Sequence, residues 1–136
     1  MDQHLIYHTN ICWHGGAGNR PGKEIMNKYH NKKTVAGGIR FDSKMEGERY
    51  LILRDMEKRG EITELQLQPK FQLQEGFRYH GKTVRAITYI ADFMYKNSAG
   101  KIVVEDVKGV ETKEFKIKKK MFLYQYGDRY DFQLVR

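Results

Sequence analysis

An aspartate in one apolar run, and an aspartate and a lysine in another, have the types and spacing of residues that do chemistry. Asp92 lies within the run 89–94, and Asp106 stands two residues before Lys108. Residues two apart in a strand share a face, so Asp106 and Lys108 should point together while Val107 points the opposite way. In isolation such a pair also fits a simple ion pair on an exposed strand. An unpaired charge among residues as apolar as those around Asp92 would be costly, which favours a functional carboxylate there.

The turn formers Asn-Ser-Ala-Gly at residues 97–100 should fold these two runs together as an antiparallel hairpin. Asp92 can then approach Asp106 across the strands, and two adjacent carboxylates repel each other unless a cation neutralises them. Mg²⁺ prefers a few carboxylates together with water and phosphate oxygens, which suits phosphoryl transfer. The pattern therefore predicts a magnesium site at which the Lys108 ammonium orients a water and neutralises developing charge.

Glu46 is a third candidate carboxylate, and its context allows two roles. Residues 43–46, Ser-Lys-Met-Glu, match a helix capping box, in which the glutamate caps its own helix. Glu48 is an alternative acidic ligand from the same helix, but the two side chains differ by about 200° around the axis, so only one can face a given site. Glu105 adjoins Asp106 and leaves a shifted register open, although only Asp106 stands two residues before a lysine.

The elements that must position these residues follow from periodicity and turn formers. Apolar residues at helical spacing predict helices over residues 43–59 and 112–126. Alternation predicts strands over residues 62–68, 71–77, 84–96, 101–108 and 130–135. If the first two strands count as one strand interrupted by Pro69, the order is αβββαβ. We therefore predict an α/β domain with a small mixed sheet flanked by helices.

Glycine-rich residues 1–38 show no sustained periodicity and predict a flexible N-terminal arm before a folded domain over residues 39–136. Met26 resembles a natural bacterial start, so we interpret residues 1–25 as a mis-annotated extension. The arm contains possible zinc ligands whose spacing fits no zinc pattern, and we interpret them as scattered polar residues: His4, His8, Cys12 and His14.

Composition bounds the class of protein. The 136 residues fit one domain, and 40% hydrophobic residues can close one core. The single cysteine excludes an intramolecular disulfide, and no apolar run approaches the ~20 residues of a membrane span, so a cytoplasmic protein is expected. A net charge of +8 attracts polyanions, with nucleic acid the first candidate, although a merely soluble basic protein would share it.

Polar residues outside the acidic cluster are candidates for nucleic-acid contacts. Thr112, at the start of the second predicted helix, could bond a phosphate through its hydroxyl and the helix-end amides. The lysines that follow could form a DNA track, although a lysine run is usually a solvated helix face; the glutamines before Pro69 could equally lie at a solvated edge. The candidate contacts are Gln66, Gln68, Thr112, Lys113, Lys116, Lys118, Lys119 and Lys120.

Three segments together resemble the PD-(D/E)XK nuclease superfamily: Phe-Asp-Ser-Lys-Met-Glu at 41–46, Ile-Ala-Asp-Phe at 90–93 and Val-Glu-Asp-Val-Lys-Gly at 104–109. More narrowly, they resemble small phage- and prophage-encoded nucleases that are distantly similar to archaeal Holliday-junction resolvases. The resemblance covers residues 39–135 and implies a restriction-endonuclease-like αβββαβ core. Ala91 stands where the motif has proline, but the chemistry uses the aspartate that follows.

The resemblance implies a metal-dependent DNA endonuclease in the bacterial host cytoplasm. Glu46, Asp92 and Asp106 would hold Mg²⁺ or Mn²⁺, Lys108 would assist the attacking water, and hydrolysis would leave a 5′-phosphate. Branched DNA such as a Holliday junction, met in phage recombination or DNA processing, is the expected substrate, and a homodimer would suit symmetric cleavage of two strands. The alternative is a nucleic-acid-binding accessory protein that keeps the fold without catalysis.

Overall fold

The structure, a computed structural model, describes residues 33–136. In chain order its elements are β1 (Thr34–Ala36), β2 (Ile39–Phe41), α1 (Lys44–Lys58), β3 (Ile62–Leu67), β4 (Lys70–Gln74), β5 (Phe77–Tyr79), β6 (Lys82–Val84), β7 (Ile87–Ile90), β8 (Phe93–Asn97), β9 (Ile102–Val107), α2 (Lys113–Tyr126) and β10 (Asp131–Val135). Neither of these helices combines the length and apolar character needed to cross a membrane. The predicted extension over residues 1–25 and its four possible zinc ligands lie outside the described residues.

A mixed sheet of four strands, in the order β10-β9-β8-β3, is the largest sheet of the described chain. β8 pairs antiparallel with both β3 and β9, and β10 pairs parallel with β9. A parallel neighbour requires a crossover connection, and α2 supplies it between β9 and β10. The predicted α/β class with a mixed sheet and two helices is therefore confirmed.

Each face of the sheet has its own apolar core. On the α1 side, the buried residues are Ala36, Phe41, Leu53, Ile62, Phe93, Tyr95, Val103 and Val107. On the α2 side, they are Phe71, Leu73, Tyr89, Ala91, Met94, Val104, Phe115, Phe122 and Tyr130. Residues of β8 and β9 alternate between the two cores because successive strand side chains point to opposite faces. This alternation separates neighbouring residues of β9 into two chemical environments.

The folded domain begins before the predicted boundary at residue 39. β1 pairs antiparallel with β2, so the predicted arm over residues 1–38 extends too far. Gly37 and Gly38 have φ of 56° and 81°, values that make them turn residues of this hairpin and not markers of a mobile segment. The hairpin packs on α1, where a Cβ on Gly47 would come 3.3 Å from the Ala36 Cβ.

The long strand predicted over residues 84–96 is three separate strands. β6 pairs with β5, β7 pairs with β4, and β8 joins the central sheet. The chain leaves one partner for the next at Ala91 and Asp92, whose backbone N–H groups donate to the carbonyls of Pro69 at 3.0 Å and Glu105 at 3.1 Å. Asp92 therefore lies at a junction between two sheets and not inside a continuous strand.

Candidate active site

Asp106 and Lys108 meet at the end of β9, on the α2 side of the sheet. Asp106 is 1% exposed, and its Oδ1 lies 3.1 Å from the Lys108 Nζ. The Tyr89 hydroxyl donates to the other oxygen, Oδ2. Val107, between the two, belongs to the core on the α1 side. The predicted same-face placement of Asp106 and Lys108 is therefore confirmed.

Asp92 approaches the same point from the junction before β8. Its Oδ2 accepts a hydrogen bond of 2.7 Å from the Val107 backbone N–H, which fixes this carboxylate against the end of β9. Burial, and after it the nearby charges of Asp106 and Glu46, raise the pKa of Asp92 to about 8. The two aspartates predicted to approach each other across the hairpin do so.

Glu46 reaches this cluster from the first turn of α1. Burial raises the pKa of the half-buried Glu46 carboxyl, a hydrogen bond with Ser43 lowers it, and Asp42, Lys108 and Asp106 act through their charges. The Ser43 half of the predicted capping box is formed, because the Ser43 hydroxyl accepts from the Glu46 backbone N–H at 3.2 Å. Glu48 is exposed and pairs with Lys44, so Glu46 is the glutamate that faces the cluster.

Glu105 lies on the opposite face of the sheet and is fully buried. Arg49 of α1 donates from Nε to Oε2 at 2.8 Å and from a terminal nitrogen to Oε1 at 2.6 Å, and the Tyr95 hydroxyl donates to Oε1 at 2.5 Å. Both oxygens of the Glu105 carboxylate are therefore hydrogen-bonded on the α1 side of the sheet. The shifted register, in which Glu105 would replace Asp106 in the cluster, is therefore ruled out.

A surface cavity opens beside Asp106 and Lys108 between β7 and α2. Its other lining residues are Thr88, Tyr89, Ile90, Glu114, Phe115 and Lys118. The Lys108 ammonium lies 5.2 Å from the centre of the Phe115 ring, a cation–π contact that holds it at the cavity wall. A ligand in this cavity would meet two carboxylates, of Asp106 and Glu114, and two ammonium groups, of Lys108 and Lys118.

The lysines of α2 do not form one surface. Lys118 lines the cavity and pairs with Glu114 at 3.1 Å, whereas Lys119 is turned towards Glu111 at 3.5 Å. The remaining three predicted contacts are exposed: Lys113, Lys116 and Lys120. Of the predicted DNA track, the structure places only Lys118 against the cavity.

The other predicted phosphate contacts lie at different positions. Thr112 caps α2, because its Oγ1 accepts from the Phe115 N–H at 3.1 Å. Gln66 lies on β3 with a buried Oε1 for which the described residues offer no hydrogen-bond donor. Gln68 is exposed at the turn into β4, where its backbone adopts the left-handed conformation with φ of 50°. None of the three lines the cavity described above.

The cluster fits a divalent cation by its donor chemistry. Within residues 33–136, no three or more His, Cys, Asp or Glu side chains already stand as a group that could hold a metal ion. However, the buried Asp106 Oδ1 lacks a hydrogen-bond donor of acceptable geometry in this part of the chain, despite the nearby ammonium. An orphaned carboxylate oxygen among two further acidic groups is the arrangement that Mg²⁺ or Mn²⁺ would neutralise.

Fold and site together define a small mixed α/β protein with an acidic cluster and a lysine at the end of a central sheet strand. Over residues 26–135, the sequence matches the family described as "Protein of unknown function (DUF1064)", and the chain belongs to that family. No curated protein and no solved structure gives a significant match to the chain. The matched segment contains all four residues of the cluster.

Asp92→Asn should stabilise the metal-free protein more at pH 8 than at pH 5. The pKa of Asp92 is about 8 in the fold against 3.8 for the free side chain, so its favourable contribution is complete below about pH 4 and is lost as the pH rises through 8. Asparagine stays neutral and keeps an oxygen for the Val107 N–H. We expect a rise in Tm of about 5 °C at pH 8, as about 1 kcal/mol produces in a domain of this size.

Thermal unfolding followed by circular dichroism at both pH values, with a chelator present, measures this difference. The exposed Asp128 supplies the matched control, Asp128→Asn, for which no such pH-dependent gain is expected. An equal change in Tm at pH 5 and pH 8 would show that the charged form of Asp92 does not destabilise the fold.

Proposed function

We propose that this protein is a metal-dependent DNA endonuclease with a restriction-endonuclease-like core. The observation that carries the proposal is the convergence of Glu46, Asp92 and Asp106 beside Lys108, with one buried Asp106 oxygen lacking a hydrogen-bond donor among the described residues. The order α1, β3, β8, β9, α2, β10 supports the fold part, because it agrees with the αβββαβ order of the superfamily that the sequence resembles.

The three carboxylates would hold Mg²⁺ or Mn²⁺, which when bound supplies a Lewis acid for the phosphoryl oxygens. The chain's own groups keep the donors in place. The Tyr89 hydroxyl holds one Asp106 oxygen, and the Val107 N–H holds one Asp92 oxygen. Burial together with the charge of Asp106 raises the pKa of Tyr89 far above its usual range, so this hydroxyl stays a donor at neutral pH. The two aspartate carboxylates are thus preorganised for a cation.

Lys108 contributes a fixed positive charge. Burial lowers the pKa of this ammonium, but the negative charges of Asp106, Asp92 and Glu46 raise it by more, so the net shift is upward. A lysine that stays protonated cannot accept the proton of the attacking water. Its role is to orient that water and to neutralise negative charge as it grows on the phosphoryl group.

DNA is the proposed substrate because of the net charge of +8 and the two lysines, Lys108 and Lys118, that line the cavity next to the cluster. Branched DNA, a homodimer and a role in phage or prophage recombination rest on the resemblance alone. The second candidate function is a non-catalytic nucleic-acid-binding accessory protein. It is favoured by the absence, within residues 33–136, of a ready-made group of three metal ligands.

Cleavage assays separate the two functions. Labelled Holliday-junction, flap, single-stranded and linear duplex DNA are incubated with the full chain and Mg²⁺ or Mn²⁺, and parallel reactions contain a chelator. Cleavage that requires the metal supports the endonuclease and ranks its substrates. Binding of the same DNA without cleavage under any of these conditions would overturn it in favour of the accessory protein.

Lys118→Ala should weaken DNA binding broadly and lower its dependence on salt. Lys118 lines the cavity, and removing one lysine–phosphate interaction should lower the slope of log affinity against log salt by about one. Fluorescence anisotropy across a salt series, with a chelator present, measures both quantities. Lys58→Ala, at the end of α1 and away from the cavity, is the matched control. Identical salt slopes for the two variants would show that Lys118 does not contact DNA.

A further inference from the structure

The β5–β6 hairpin contributes no residue to the acidic cluster and makes few contacts with the other described elements. Its register is Phe77 opposite Val84, Arg78 opposite Thr83 and Tyr79 opposite Lys82. His80 and Gly81 form the two-residue turn with φ of 46° and 72°, the paired positive values of a tight hairpin turn. Among the described elements, these two strands make their main contacts with each other. Much of the hairpin surface is therefore left accessible to a ligand.

Arg78 braces this turn from one face. It donates from its terminal nitrogens to the Gly81 carbonyl at 2.6 Å and to the Thr83 hydroxyl at 3.4 Å. At the base of the hairpin, a Cβ on Gly76 would come 3.2 Å from the Val84 carbonyl oxygen, so the chain closes tightly there. A braced turn and a tight base make the exposed side chains a preorganised surface, which lowers the entropic cost of binding.

The other face of the hairpin carries two aromatic rings. Phe77 and Tyr79 are two residues apart in β5 and so share a face, and they are 47% and 63% exposed. Lys82 lies on the same face, directly opposite Tyr79. The Tyr79 ring also meets the His80 ring edge-on at 4.2 Å between centroids. We call Phe77, Tyr79 and Lys82 the aromatic platform.

The hairpin itself carries charge of one sign, and the nearest acidic residues along the chain are Glu75 and Asp92. Residues 76–91 contain no aspartate or glutamate, and they contain Arg78, Lys82 and Arg85. The complementary ligand is therefore an anion that also offers flat apolar faces. A nucleic-acid strand with unpaired bases has both, because its phosphates contact lysine and arginine while its bases stack on aromatic rings. Duplex DNA keeps its bases stacked on one another and offers the rings much less.

The chain leads directly from the platform to the candidate active site. β6 continues through residues 85–86 into β7, whose Thr88 and Ile90 line the cavity beside Asp106. Four residue steps separate Val84, opposite Phe77, from Thr88, and six separate Lys82 from Thr88, so at ~3.3 Å per residue they span at most about 13 Å and about 20 Å. A nucleic-acid strand of a few nucleotides held on the platform could therefore reach the cavity.

We propose that the aromatic platform binds the unpaired bases of a DNA strand next to the candidate active site, with Phe77 and Tyr79 stacking on bases and Lys82 contacting a phosphate. This assignment deepens the proposed function and rests on it, since it takes the substrate of the endonuclease as its ligand. It makes DNA with an unpaired segment beside the cleaved bond the preferred substrate. Fully paired duplex DNA would bind without the stacking of bases on Phe77 and Tyr79.

The test compares binding of labelled oligothymidylate and of duplex DNA of equal length by the full chain, with a chelator present. The double substitution Phe77→Leu with Tyr79→Leu removes both rings and keeps their apolar character. We expect the affinity for oligothymidylate to fall at least about tenfold, since base stacking contributes ~1–3 kcal/mol per base, while duplex affinity changes less than about threefold. Tyr124→Leu, on the exposed face of α2 and 92% exposed, is the matched control and should leave both unchanged.

Unchanged affinity for oligothymidylate, or an equal loss for duplex, overturns the proposal. Unchanged DNA binding together with a loss of self-association in sedimentation assigns the platform to a contact between copies of the chain, and also overturns it. Lys82→Ala should lower the salt dependence of oligothymidylate binding. An unchanged slope of log affinity against log salt would show that Lys82 does not contact a phosphate. Platform-dependent binding without metal-dependent cleavage would refute the endonuclease alone, whereas cleavage without platform-dependent binding would refute the platform alone.

Discussion

Asp106→Asn should reduce metal-dependent DNA cleavage by roughly a thousandfold or more, the range expected when a preorganised charge at a phosphoryl-transfer site is lost. Asp106 is 1% exposed and lies beside Lys108, and its Oδ1 has no hydrogen-bond donor in the described chain. Asparagine has nearly the same shape but carries no charge, so it binds a divalent cation far more weakly. Initial rates on the best DNA substrate, measured with saturating Mg²⁺, give the size of the effect.

The same substitution should leave the protein folded. The amide oxygen of the substituted side chain can still accept from the Tyr89 hydroxyl, and the relieved repulsion with Asp92 should offset the lost ion pair with Lys108. We therefore expect an unfolding temperature no lower than that of the unsubstituted protein and unchanged DNA affinity in the presence of a chelator. Asp128→Asn, at an exposed acidic residue, should cleave normally. Full cleavage by a folded Asp106→Asn protein would show that the acidic cluster is not the active site.

The sequence predicts the helices well because their ends are marked locally. Ser43 and Thr112 each place a hydroxyl where it accepts from the backbone N–H three residues later, and both helices begin directly after these caps. The hairpin of β8 and β9 follows in the same way from the turn formers at residues 97–100. These features depend on contacts a few residues apart, which a sequence pattern records directly.

The strands around residues 77–92 are harder to predict because their partners are chosen by distant contacts. The apolar alternation of residues 84–96 does not reveal that the chain changes partner at Ala91, where the break depends on a hydrogen bond to Pro69. The same holds for Gly37 and Gly38, which fit a mobile arm as well as a hairpin turn. Only the packing of that hairpin on α1 decides between them.

Some residues of the candidate site can likewise be predicted from local sequence patterns, and others cannot. The D-x-K spacing and strand alternation predict that Asp106 and Lys108 share a face, and the turn predicts that Asp92 approaches them. Tyr89 and Arg49 carry no such pattern. Tyr89 reaches Asp106 from 17 residues away and Arg49 reaches Glu105 from 56 residues away, so only the folded chain reveals these partners.

Arg49→Met should be among the most destabilising substitutions in the protein, with a loss of about 3–5 kcal/mol in the free energy of unfolding. The Glu105 carboxylate is 0% exposed, and Arg49 supplies two of its hydrogen bonds. Methionine fills much of the arginine stem's volume but leaves a buried charge for which the Tyr95 hydroxyl is the one remaining side-chain donor among residues 33–136. The loss of stability comes from the buried Glu105 charge that is left without its counterion, since a buried ion pair as a whole contributes little net stability.

A second substitution distinguishes that cause from lost packing. Adding Glu105→Gln to Arg49→Met removes the orphaned charge and keeps an oxygen for the Tyr95 hydroxyl, so the double variant should recover most of the loss. Urea denaturation with a constant m-value measures both proteins. Arg59→Met, at the C-terminal end of α1 in an exposed ion pair with Asp55, should cost less than about 1 kcal/mol. If the double variant is no more stable than Arg49→Met alone, Arg49 holds α1 on the sheet by its packing and not by neutralising Glu105.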